Sequence, residues 1–147
     1  MNGRATYSAW YELLPRDAVT IGSLSISPGD KITASIYLSD LNTDTWVIEI
    51  SDVTDGHSFR KSVTYASSML SAEWIVEAPA LIDRIATLAD FGQVTFTECR
   101  ATLGGETGTI SSFPSSRITL SSRQHIGLTS VSTLAGGGSS FTVGYVS

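Results

Sequence analysis

The 147-residue chain carries 14 acidic against 9 basic side chains, a formal charge of -5, and is 41% hydrophobic but only 16% charged. That is the composition of a globular protein of one-domain size, residues 1–147, without an apolar run long enough to cross a membrane as a helix. The acidic balance excludes nucleic acid and anionic membranes as expected partners, because phosphate recognition needs clustered Lys and Arg.

The opening residues, "MNGRATYSAW", lack an apolar h-region, so no secretory leader is expected. "AWYELLP" alternates, with Trp10, Glu12 and Leu14 on one face and Ala9, Tyr11 and Leu13 on the other. After the turn "SPGD" (Ser27 to Asp30), "KITASIYL" sets Ile32, Ala34, Ile36 and Leu38 against Lys31, Thr33, Ser35 and Tyr37. "TWVIEI" follows, and the turn "TDGH", with its Asp55-Gly56 pair, signals a hairpin into "SFRKSVTY". "SAEWIVEAP" also reads as a strand, with Glu73, Ile75 and Glu77 opposite Ala72, Trp74 and Val76. "PALIDRIATLAD" instead has Leu81, Ile82, Ile85 and Leu88 at helical spacing and reads as a long connection with one short helix. "GQVTFTE", "RITLSS" and "SSFTVGYVS" return to period two, with turns at "LGGETG" and "AGGGSS". The fold class expected is all-β, an antiparallel sandwich or jelly roll rather than βαβ units.

Few residues offer chemistry. Cys99 is the single cysteine, so it makes no disulfide within the chain and reads as a packed thiol. His57 and His125 have no metal spacing and no triad context, and the scattered aspartates are a weak signal for calcium, so neither metal nor cofactor is expected. The glutamates at 73 and 77 stand out in an otherwise strand-like run. Four residues of strand set them roughly 13 Å apart, too far to act as a carboxylate pair by themselves. A partner would have to come from another strand, and Glu12 is the candidate. On the residues alone, a half-solvated sandwich face accounts for these glutamates better than a binding cleft does.

Four runs carry a resemblance. "YSAWYELLP" (Tyr7 to Pro15), "ISPGD" (Ile26 to Asp30), "SAEWIVE" (Ser71 to Glu77) and "LADFGQVTFTEC" (Leu88 to Cys99) come in that order. In motif and spacing they resemble the glutamic peptidases, the eqolisin family. The resemblance implies a concanavalin-like sandwich of two antiparallel sheets, a cleft on one curved face, and acid endopeptidase chemistry on a peptide or protein. It implies that Glu77 is the catalytic general base in a partly dry cleft, taking a proton from the attacking water and returning it to the leaving amine. Trp10, Glu12 and Glu73 are implied as substrate-binding residues. The family's second catalytic residue is a glutamine upstream of the "AWYEWYP" motif. The nine residues before Trp10 contain none, and Gln93 and Gln124 lie later. Leu13 and Leu14 also replace the family's aromatic pair. The expectation is therefore a family member shortened at its N-terminus, with weak or absent peptidase activity. The alternative is a non-catalytic peptide- or glycan-binding module. The family is typically secreted. Sheet edges opened by the missing strands lead to the expectation of a homodimer or higher assembly.

Overall fold

The computed structural model describes residues 5–78, 85–122 and 127–146. The chain divides into two compact units, Met1–Met69 and Leu70–Ser147. Every ladder between described strands is antiparallel.

The first unit is built on a three-stranded meander. β1 (Trp10–Tyr11) pairs with β2 (Val19–Thr20), and β3 (Ile32–Asp40), β4 (Thr45–Asp52) and β5 (His57–Thr64) form a sheet with β4 in the middle. The turn before β3 and the β4–β5 hairpin corner follow the turn chemistry expected. Gly29 and Gly56 take φ of 91° and 73°, a region an L side chain resists, and Gly56 N–H bonds back to Asp52 C=O at 2.9 Å. The registers Ala34↔Ile50↔Phe59, Ile36↔Ile48↔Lys61 and Leu38↔Trp46↔Val63 collect the apolar side chains on one face. The opposite face carries Ser35, Glu49 and Arg60 in one row, with Tyr37, Val47 and Ser62 beside them.

Cover for the apolar face comes from β1. Tyr11 stacks on Phe59 with ring centroids 6.0 Å apart, and Lys61 Nζ lies 5.3 Å from the Tyr11 centroid. Because side chains alternate, Trp10 and Glu12 point away from that sheet. Ile21, Leu24, Val47 and Ile48 are the buried apolar residues of this unit. Ile36, expected on a buried face, is instead 69% exposed. β3 lies at the sheet edge, and the stacking contact from β1 reaches β5, on the far side of β4.

In the second unit, β6 (Gln93–Phe96) and β9 (Thr129–Val131) flank β10 (Phe141–Tyr145), while β7 (Arg100–Leu103) and β8 (Glu106–Thr109) form a separate hairpin. Its corner, Gly104-Gly105, has φ of 60° and 86°, the left-handed pair a tight two-residue hairpin needs. Phe96 stacks on Phe141 at 5.0 Å, and Cys99 and Val143 are buried. Cys99 is the packed thiol expected, and burial pushes its pKa up. The strand-like run around it breaks at Glu98, whose φ is 55°.

Two expectations are corrected, and a third lies partly outside the described residues. "RITLSS" makes only an isolated bridge, Ser121 to Gly127, because its described partners are single contacts such as Leu128 N–H to Leu120 C=O. "SAEWIVEAP" keeps its alternation over 73–78 but joins no ladder among the described residues. The short helix expected within "PALIDRIATLAD" falls partly on 79–84, outside the described residues, and 85–90 is not helical.

Candidate functional site

Glu77 lies on the extended segment 71–78, whose two edges differ sharply. Trp74, Val76 and Ala78 are half-buried, whereas Glu73, Ile75 and Glu77 are exposed. The segment is therefore held by side-chain burial along one edge, with its carboxylates presented along the other. Glu73 accepts a hydrogen bond from the Ser71 hydroxyl at 3.4 Å. Glu77 itself is exposed.

Trp10 and Glu12 belong to the first unit. Trp10 is 49% exposed and is anchored by its pairing with Thr20, while Glu12 follows one residue past the Tyr11 anchor and is also exposed. The alternation places both on the outer side of β1, as the sequence pattern requires. These two residues and the glutamates at 73 and 77 sit in different units.

A second cluster escaped the sequence reading. On the polar face of β3–β5, Arg60 Nε donates to Glu49 Oε1 at 2.8 Å, and Arg60 Nη2 reaches the Tyr37 hydroxyl at 3.2 Å. The Ser35 and Tyr37 hydroxyls each donate to Glu49 at 3.3 Å. The Arg60 guanidinium, helped by these hydroxyls, holds the Glu49 carboxyl below its ordinary range despite some desolvation. The signal for this cluster lay in register: Ser35, Glu49 and Arg60 become neighbours only once the strands are paired. Depressions of about 120 and 250 Å³ flank Glu49 and Ser51, smaller than the roughly 300 Å³ at which ligand sites begin. We read it as a solvated ion pair. Among the described residues no three His, Cys, Asp or Glu side chains come together as a metal site. His57 is exposed, and Gln124 and His125 lie outside the described residues.

The model of the Peptidase A4 family matches residues 1–145. The chain belongs to the Peptidase A4 family. Aspergillopepsin-2 of Aspergillus niger is 36% identical over 110 residues, which span 72% of this chain and 38% of the relative. This family member thus matches well under half the length of that curated relative. The crystal structure of aspergilloglutamic peptidase from Aspergillus niger superposes with a TM-score of 0.83 at 31% identity, covering 99% of this chain and 84% of that one. That likeness shows the all-β, antiparallel two-sheet sandwich of the glutamic peptidases. Scytalido-glutamic peptidase, solved with a peptide-based transition state analog, shares the fold at a TM-score of 0.65 and 19% identity, over 96% of this chain and 70% of that one.

Proposed function

We propose that this chain presents the general base of a glutamic peptidase, Glu77, and acts on peptides in acid. The observation that carries the reading is the family match over residues 1–145 together with the two-edged segment 73–78, which half-buries Trp74 and Val76 and exposes Glu77. In this reading Glu77 accepts a proton from the attacking water and passes it to the departing amine. Glu73, Trp10 and Glu12 contact the peptide.

A second reading follows from the exposure of Glu77: a peptide- or glycan-binding module that keeps the scaffold without hydrolysis. Digestion of casein or a model peptide at pH 3–4 separates the two. The proposal expects cleavage by the wild type that disappears in Glu77→Gln. Equal background from both proteins, with peptide still retained by the wild type, favours the module.

A further inference from the structure

β3 forms one edge of the sheet in the first unit, and two backbone bonds fix which of its groups face outward. Tyr65 N–H donates to Asp44 C=O at 3.0 Å, so the even-numbered residues of β4 bond to β5. Val53 N–H donates to Lys31 C=O at 2.8 Å, so the odd-numbered residues of β4 bond to the odd-numbered residues of β3. The N–H and C=O groups of Ile32, Ala34, Ile36 and Leu38 therefore point away from the sheet, and among the described residues nothing pairs with them. The side chains of the same residues lie on the apolar face, where Ile32 is 41% and Ile36 69% exposed. Sheet proteins blunt such edges with proline, charge or brevity. β3 is nine residues long, and the stretch from Ile32 to Ser39 holds neither proline nor charge.

The charges at the two ends of the strand point to what covers it. Lys31 lies on the polar face with Thr33, Ser35 and Tyr37. Simple alternation would send Asp40 to the apolar face, but the bulge between Leu38 and Asp40 sets it opposite Thr45, on the polar face as well. Among the described residues the one salt bridge joins Arg60 and Glu49, so neither Lys31 nor Asp40 is committed to an ion pair. Asp40 uses Oδ1 alone, to accept Asn42 N–H at 2.8 Å.

We propose that two copies of this chain pair through β3, antiparallel about a twofold axis at Ser35, and so join their three-stranded sheets into one. A twofold axis of this kind keeps polar faces together and apolar faces together. With Ser35 opposite Ser35 of the second copy, Thr33 meets Tyr37, and Lys31 meets Asp40 at both ends of the ladder. On the other face Ala34 meets Ile36 and Ile32 meets Leu38, and these are the residues whose outward backbone groups bond across the axis. Slipping the register by two residues in either direction breaks both ion pairs, so charge selects this alignment. Nothing in the pairing depends on Glu77.

Sedimentation of the full chain, from micromolar to a few hundred micromolar, tests the pairing. The mass should rise with concentration from 15.6 kDa toward twice that value. Lys31→Glu and Asp40→Lys should each raise the dissociation constant by about tenfold, although they shift the net charge in opposite directions, and the double variant should restore it. Ser35 faces its own copy across a pair about 4.5 Å between Cα atoms, within the reach of a disulfide. Ser35→Cys should therefore cross-link two chains on air oxidation. Thr33→Cys, roughly 14 Å from its counterpart, should not. A wild type that stays at 15.6 kDa throughout, a dimer indifferent to both charge reversals, or no cross-link in Ser35→Cys would overturn the proposal. If the charge variants do not fold, the two cysteine variants decide alone.

Discussion

Val47 and Ile36 offer a matched test of where the core of the first unit lies. Both are β-branched residues inside the same sheet, yet Val47 is 2% exposed on the central strand and Ile36 is 69% exposed on the edge. Val47→Ala removes two buried methyl groups, worth about 0.8 kcal/mol each, and leaves a cavity that adds a similar amount. The expected cost is about 2–3 kcal/mol. Ile36→Ala removes side chain that is already largely in water and should cost about 0.5 kcal/mol or less. For a chain of this size those values correspond to a Tm drop of about 6–10 °C for Val47→Ala and about 2 °C or less for Ile36→Ala. Thermal unfolding by circular dichroism at two protein concentrations makes the comparison. Equal losses would refute the burial argument. A Tm difference between wild type and Ile36→Ala that depends on protein concentration would instead place Ile36 in a contact between copies.

Gly138 has φ of 86° and a Cβ there would run into the Ser111 side chain, whereas Gly137, at 66°, faces open space. Gly138→Ala should therefore destabilise clearly more than Gly137→Ala, which carries only the conformational cost of about 1 kcal/mol, in the same melts. Arg60→Ala should move the Glu49 carboxyl titration upward, as read by NMR. Because the folded-state pKa of Glu49 is lowered, its contribution is present above the unfolded value and fades as pH falls through the folded one. The variant should lose that acid dependence. Cys99 should resist a thiol reagent near neutral pH until the protein is unfolded, since burial both shields the sulfur and disfavours its thiolate.

Much of the fold was legible because its determinants are local. Alternation in 32–40, 45–52 and 57–64 sits between turns whose Gly29 and Gly56 demand positive φ, so strand and corner reinforce each other. Alternation does not choose partners, however. "RITLSS" and "SAEWIVE" have the same period, but a ladder needs a second strand brought from elsewhere in the chain, and none of their own residues encodes that. β7 and β8 were hidden for the opposite reason. "RATL" and "ETGT" carry little apolar pattern, and their pairing rests on the Gly104-Gly105 corner. At the candidate site, the faces of Glu73, Glu77, Trp10 and Glu12 followed from parity alone. A cleft is not legible in this way, because desolvation depends on what covers a residue and not on its own alternation. The Glu49–Arg60 pair likewise exists only through register.

The central claim is that Glu77, and not Glu73, is the base that activates water. The most direct measurement is kcat/KM for one peptide at pH 3–4 in wild type, Glu77→Gln and Glu73→Gln. Glu77→Gln should fall to background, because a glutamine there cannot accept a proton. Glu73→Gln should keep the wild-type kcat and change mainly KM, as expected of a residue that only contacts the peptide. Activity that survives in Glu77→Gln, or disappears in Glu73→Gln alone, would contradict the account.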